Sequence, residues 1–236
     1  MSKILKRQIE GFIYLLQNPL QLKHIIIRET LYRKRHRSKR KWIEWQKYDA
    51  QMHICYMHAN PDVLRAEDSL NVARIKIVSN MINRLGKGLQ ILDVGCGDGV
   101  VSEPIRIGNY VTSIELPKVS GLAHICRVPL VVAGDAEHLT FASNTFDVVL
   151  ASEVVEHLWN PHNFFNEARR VLKVNGHLII STPEGKEGLR YDSHKHYLTV
   201  ESVKQMLDSR FTICEVKRLK PTGAPIPTII LILRKS

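Results

Sequence analysis

At 236 residues the chain can bury one good-sized core, and its 44% hydrophobic and 24% charged content is that of an ordinary globular protein. The formal charge of +11 is unevenly placed: residues 1–41 hold twelve Lys and Arg against Glu10 and Glu29, which leaves +1 for residues 42–236. Cys55, Cys96, Cys126 and Cys214 lack the spacing of a disulfide framework or a CxxC pair, no apolar run approaches a membrane span, and the N-terminus lacks a signal peptide's apolar core, so the expected location is cytoplasmic.

In chain order, residues 1–50 read as a basic, amphipathic, helical arm. Ile4, Leu5, Ile9, Phe12, Ile13, Leu16, Leu20 and Ile27 fall near helical spacing, with a break at Asn18-Pro19. RKRHRSKRK (33–41) follows, and then Trp42, Trp45 and Tyr48. Residues 51–236 read as the main domain, with 51–88 as a lid segment; Tyr48 just before it and His53, Tyr56 and His58 within it are candidate lid residues. A helix is expected over 62–86, ended by Gly86. Strands are then expected at LQILDV (89–94), VTSIEL (111–116), VPLVVAGD (128–135), FDVVLAS (146–152) and HLIIST (177–182). Helices separate them: a short one after Gly99, one near 117–126, and one over 161–173 that starts at Asn160-Pro161 and stops at Asn175-Gly176. A helix at 199–208 and two strands, FTICEVKRL and TIILILRK, complete the chain, the strands joined by KPTGAPIP. Continuous apolar strands alternating with helices predict a parallel sheet covered on both faces.

The first strand ends in Asp93-Val94-Gly95-Cys96-Gly97-Asp98-Gly99, where alternate positions carry no side chain. A ligand can lie against such a backbone at the carboxyl end of a strand. Dinucleotide enzymes also use glycine-rich turns, but the third glycine of their fingerprint is missing. Glu115 ends the second strand about 20 residues on, where an acid can take both ribose hydroxyls. Asp135 ends the third, before Ala136, and can accept from an exocyclic adenine amine. Together they describe a pocket for an adenosine without a pyrophosphate.

At these residues the chain resembles the class I S-adenosylmethionine-dependent methyltransferases. The resemblance runs from Leu89 to Lys235 through DVGCGDG, Glu115, GDAEHLTF, FDVVLASEVVEHL and RVLKVNGHLIISTPE. It implies a Rossmann-like, doubly wound, seven-stranded α/β sheet, mostly parallel with an antiparallel last strand. Val174-Asn175-Gly176 stands where Pro-Gly-Gly is common, and Asn tolerates that turn. Position by position, the resemblance implies Asp93, Gly95, Gly97 and Asp98 around the methionine part of the cofactor. It puts Glu115 on the ribose with Leu116 beside the adenine, Asp135 and Ala136 at the adenine edge, and Ser152-Glu153 along the sulfonium side.

SEVVEHL places Glu153, Glu156 and His157 after strand four, and SHKHYLT (193–199) adds His194 and His196 after strand five. The ExxEH pattern resembles the quinone-biosynthesis O-methyltransferases, in which it binds a divalent ion. The later histidine resembles small-RNA 3′-end 2′-O-methyltransferases and is best matched by His194. The implied metal set is Glu153, Glu156, His157 and His194 around Mg²⁺ or Mn²⁺, with vicinal acceptor oxygens completing it. No cysteine is placed to make it a zinc site. The implied catalytic residues are His157, His194 and Glu156. His157 as a metal-free base, or as pocket wall, remains open at this point, and His196 reads equally as a surface residue.

The expected function is S-adenosylmethionine-dependent O-methylation of a hydroxylated small-molecule, glycan or lipid-linked acceptor. RNA 2′-O-methylation is the alternative within the enzyme class, and an inactive cofactor-binding scaffold partner is the alternative outside it. The arm, residues 1–45, can contact an anionic membrane surface, which would place the protein peripherally at the inner face. Its cations can also meet RNA phosphates, or its apolar face can pack on the domain or a second subunit. The nearly neutral body argues against nucleic acid, and the sequence does not set the oligomeric state.

Overall fold

The computed structural model describes residues 27–28, 30–59, 70–117, 119–121, 128–185, 193–207, 209–220 and 227–236, with 53–59 and 70–71 described as helix only. The apolar pattern over 4–20, the side chains of His53, Tyr56 and His58, the first part of the helix expected at 62–86 and most of that near 117–126 lie outside these residues. The chain divides into two compact units, 1–48 and 49–236.

In the first unit, residues 30–34 are helical and run into a 3-10 turn at Arg35–Arg37. Helix α1, Lys39–Ala59, follows and continues into the second unit. Trp42 and Trp45 are fully buried. Trp45 meets Tyr32 edge-on at 5.7 Å and Tyr48 at 6.1 Å, and His36 stacks on Trp42 at 5.2 Å. The aromatic residues of the arm therefore form its internal hub, while Arg33, Lys34, Arg37 and Arg40 are exposed.

The second unit is a seven-stranded sheet. Its strands are β1 (Gln90–Val94), β2 (Tyr110–Glu115), β3 (Val131–Ala133), β4 (Phe146–Ser152), β5 (Leu172–Pro183), β6 (Phe211–Leu219) and β7 (Thr228–Lys235). The spatial order is β3-β2-β1-β4-β5-β7-β6, parallel up to β5, with β7 antiparallel to both its neighbours. That is the seven-stranded arrangement expected from the sequence. Period-two alternation sends Val149, Ala151, Leu178, Ile180, Ile229 and Leu231 to one face of the sheet. Val148, Leu150, Ile179, Ile230 and Ile232 go to the other.

Each face is covered by helices. Helix α2 (Leu70–Leu85) lays Val78, Met81 and Ile82 on the second face, beside Ile105 of the short α3 (Ser102–Ile105). Helix α4 (Pro161–Val171) covers the first face with Phe164, Phe165, Ala168 and Val171. It begins where Asn160 Oδ1 accepts the His162 amide and Pro161 fills the first turn. Helix α5 (Val200–Met206) starts on a reciprocal Thr199–Ser202 cap and adds Val200 and Val203.

Two boundaries differ from expectation. Strand β3 is three residues long: its register with β2 begins at Val131, and Leu130, whose carbonyl accepts the Ser113 amide at 3.0 Å, turns its side chain to solvent. Helix α4 ends at Val171 and passes straight into β5, which starts five residues earlier than its apolar run suggests. Leu172 pairs with Phe146, and Asn175, at φ +61°, takes the left-handed step before Gly176.

Strand order reverses between β1 and β4, so the crevice beyond their carboxyl ends is the switch point where α/β sheets bind ligands.

Candidate functional site

The floor of the crevice is the ridge after β1. The Gly95 amide donates to Ile114 O at 2.8 Å, tying the turn to β2. Gly95 and Gly97 both have positive φ, +68° and +54°, but they serve different ends. A Cβ on Gly95 would stand 2.6 Å from Val154 Cγ2, whereas one on Gly97 would meet nothing within 4 Å. Gly95 lets the ridge pack against the loop after β4. Gly97 faces open space, the kind of bare backbone that a ligand can lie against.

Carboxylates line this space. Glu115 is buried at the end of β2, and its two oxygens accept the amides of Gly97 at 3.0 Å and Leu116 at 2.7 Å. Burial raises its pKa, and those two amides pull it back down. Asp93 is also buried and accepts from the Ser102 hydroxyl of α3. Burial pushes it up to about 7, opposed by Ser102 and assisted by the charge of Glu115. Asp98 Oδ1 accepts the Val100 amide at 3.2 Å. Beyond β3, Asp135 Oδ1 accepts the Glu137 amide at 2.9 Å, and its other oxygen lies 3.5 Å from His138 Nδ1. Ala136 packs on the core beside it.

The wall after β4 is more unusual. Glu153 adopts φ +57°, a left-handed conformation that is costly for a non-glycine residue and is often found at functional sites. Its amide donates to Ser181 O, and its carboxylate accepts from the Ser181 hydroxyl at 2.9 Å and meets Arg74 of α2 at 3.2 Å. Glu156 lies in a 3-10 turn, Val155–His157, and is 1% exposed. Neither of its carboxylate oxygens makes a well-formed hydrogen bond among the described residues, although the Thr182 hydroxyl and the Arg74 charge nearby favour its charged form. Burial, with Glu153 nearby, raises its pKa well above the ordinary range.

His157 and His194 stand against this buried acid, their rings edge to face at 4.8 Å. One ligand atom from each of Glu156, His157 and His194 falls within 4.8 Å of the others. The histidine segment is stitched down by backbone. Glu156 O accepts the Lys195 and His196 amides at 2.7 and 3.1 Å, and His157 Nδ1 lies 2.8 Å from Ser193 O. That carbonyl requires a proton on Nδ1 and leaves Nε2 with its lone pair, the arrangement that prepares an imidazole for a metal or a proton.

Residues 92–180 match the family described as "Methyltransferase domain". That stretch resembles a methyltransferase domain of the S-adenosylmethionine-dependent class. The chain is 38% identical over 104 residues to the ubiquinone biosynthesis O-methyltransferase of Maricaulis maris, a match covering 41% of each chain. It is 31% identical over 125 residues to the protein of that name from Glaesserella parasuis, covering 48% of this chain and 52% of that one. The matched region thus spans about two-fifths to one half of these relatives. Among solved structures, the N-methyltransferase NodS from Bradyrhizobium japonicum, in complex with S-adenosyl-L-homocysteine, superposes with a TM-score of 0.66. That likeness covers 79% of this chain and 98% of NodS at 20% identity, and it shows the fold.

The residues expected from sequence fall into two groups around one crevice. Asp93, Gly95, Gly97, Asp98, Glu115 and Leu116 gather at β1 and β2, and Asp135 and Ala136 follow β3. Of the expected metal set, Glu156, His157 and His194 come together, while Glu153 is engaged by Arg74 and Ser181. His196 is half-buried and bonds Leu158 O at 3.0 Å, and burial lowers its pKa.

Arg74, Ser181 and Glu137 were not expected. Arg74 does carry a sequence signal: with Val78, Met81 and Ile82 it lies on the buried stripe of α2, where a cation needs a reason. Ser181 and Glu137 carry none, because their partners lie far away in sequence.

Proposed function

We propose that the chain moves the methyl group of S-adenosylmethionine to an oxygen of a hydroxylated small acceptor, free or carried on a glycan or lipid, with Mg²⁺ or Mn²⁺ at the histidine cluster. The observation that carries this reading is Glu156, a buried carboxylate with no well-formed hydrogen bond to either oxygen among the described residues, within 4.8 Å of ligand atoms of His157 and His194. A lone buried carboxylate is costly, and a cation is the partner this donor set suits. The relatives are named for O-methylation in ubiquinone biosynthesis, which favours an aromatic hydroxyl among the acceptors.

The reaction is an in-line displacement: the acceptor oxygen bonds the methyl carbon as the carbon–sulfur bond breaks. Alignment and exclusion of water are the protein's main tasks. Gly97 supplies the bare floor, Glu115 holds the ribose diol, Leu116 lies beside the adenine, and Asp135 and Ala136 meet its edge. Asp93, Asp98 and Glu153 surround the methionyl end, where the Arg74 guanidinium is in reach of a carboxylate. Glu156, His157 and His194 would hold the ion, while Glu153, first expected in the set, stays with Arg74 and Ser181. A divalent ion there supplies orientation and acidification of vicinal hydroxyls. His157, its tautomer fixed by Ser193 O, would accept the acceptor's proton at Nε2 where the ion does not occupy it.

The arm would bring the enzyme to acceptors at a cytoplasmic membrane face. With Trp42 and Trp45 buried, electrostatics must carry that contact among the described residues, where no helix is long and apolar enough to cross a membrane. The exposed Arg33, Lys34, Arg37 and Arg40, at about 1 kcal/mol each near an anionic surface, give roughly 4 kcal/mol, a reversible attachment. Sedimentation with phosphatidylserine vesicles, lost on changing these four residues to Gln, tests it. Retention on RNA in place of vesicles would favour the RNA reading.

Crystals grown with S-adenosylhomocysteine and Mn²⁺ test the site. Anomalous density among Glu156, His157 and His194 is expected. Bound S-adenosylhomocysteine with no density there would remove the ion, and failure to bind it would remove the cofactor reading itself.

A further inference from the structure

We infer that Glu137 is a positioning residue that fastens the histidine cluster to the nucleoside-binding loop. Glu137 is buried, 3% exposed, two residues beyond Asp135. Its amide is held by Asp135 Oδ1, so the acid expected at the adenine edge also sets where Glu137 begins. Its Oε1 reaches across to the loop after β4 and accepts two amides, from Trp159 at 2.7 Å and Asn160 at 3.1 Å.

Those two amides end the segment that carries Glu156 and His157, and Asn160 is the cap of α4. From there the connections run to the strap at 193–196. Leu158 O faces His196 Nε2 at 3.0 Å, Glu156 O accepts the Lys195 and His196 amides, and Ser193 O holds His157. The Lys195 ammonium also lies over the Trp159 ring, 4.0 Å from its centre. Glu137 is thus the side chain through which the loop after β3 grips the loop after β4, on which the strap rests. Two backbone donors on one charged oxygen are costly to strand, so its loss should loosen everything docked beyond it.

The inference rests on the cofactor reading for its ligand-driven half only, and the experiment separates the two. Amide hydrogen exchange is followed on the full chain, wild type, Glu137→Ala and Glu137→Gln, with and without S-adenosylhomocysteine, whose binding is measured by calorimetry. In Glu137→Ala the Lys195 and His196 amides should exchange at least roughly tenfold faster, while amides of β4 and β5 keep their protection. Glu137→Gln, which retains an accepting oxygen, should restore them to within about threefold. In the wild type, bound S-adenosylhomocysteine should slow exchange at 158–160 and 193–196 together.

Unchanged exchange of the strap in Glu137→Ala, or a Gln variant as fast as Ala, overturns the inference. If Glu137→Ala does not fold, the Gln variant and the ligand arm decide: heat of binding without added protection of the strap overturns it as well. No heat of binding in the wild type sinks the cofactor reading instead and leaves the comparison of variants standing as the test of the fastening.

Discussion

Alanine at Gly95 and at Gly97 should do opposite things, although the two residues are two apart and share a left-handed backbone. At Gly97 the only folding cost is the conformation, about 1–2 kcal/mol, since its Cβ meets nothing within 4 Å. At Gly95 the same cost is joined by a Cβ 2.6 Å from Val154 Cγ2, an overpacking that typically adds 1–3 kcal/mol, for a total of about 2–5 kcal/mol. Urea unfolding of the ligand-free protein should therefore separate the two variants by about 1–3 kcal/mol. Calorimetry with S-adenosylhomocysteine should reverse the order of damage. Gly97→Ala places a methyl in the cleft and should lose at least about tenfold in affinity, roughly 1.4 kcal/mol. Truncating Val154 tests the cause, because Gly95→Ala with Val154→Ala should recover stability that Gly95→Ala alone loses. Wild-type affinity in Gly97→Ala would refute the assignment of the ridge as the cofactor floor. Equal destabilisation of the two variants would refute the packing role of Gly95.

Asp93 predicts a pH dependence. Burial raises it from 3.8 to about 7, so the fold favours its neutral form. That contribution is complete below pH 4 and is lost as pH rises to 7, because the unfolded chain ionises while the folded one holds its proton. The loss has an upper limit of about 4 kcal/mol, and Asp93→Asn should flatten it in urea melts at pH 4.5 and 7.5. Parallel pH profiles for the two proteins would contradict the burial argument. Glu156→Gln should raise the stability of the metal-free protein by about 1 kcal/mol or more, since it removes an acid that burial forces to keep its proton above its ordinary range, and should abolish Mn²⁺ binding followed by electron paramagnetic resonance. A destabilised Gln variant would mean that Glu156 is satisfied without an ion.

The sheet was largely legible because its central strands are covered on both faces and so read as apolar runs, while β6, at the edge, is apolar only at intervals. Phe146–Ser152, Phe211–Leu219 and Thr228–Lys235 were recognisable to the residue. Boundaries failed where pairing outweighed hydropathy. Leu130 is apolar but projects beyond the edge pairing of β3, and Leu172–Gly176 join β5 through register with β4 and a left-handed Asn175. The residues expected to hold the cofactor could be placed in the fold because they end successive strands, a position fixed by topology. The second cluster was only half readable. The ExxEH spacing placed Glu156 beside His157, but that Glu153 turns to Arg74 and Ser181 depends on contacts 79 and 28 residues away. Glu137 shows the limit, since nothing in its neighbourhood announces that its oxygen closes on amides at 159 and 160.

The central claim is that acids capping neighbouring strands hold one adenosyl ligand over a bare ridge, and Glu115 is its most direct test. Titration calorimetry with S-adenosylhomocysteine should give a clear heat for the wild type and an affinity at least about 100-fold lower for Glu115→Ala, the loss expected when two hydroxyls lose a charged acceptor. Wild-type binding by a folded Glu115→Ala protein would contradict it.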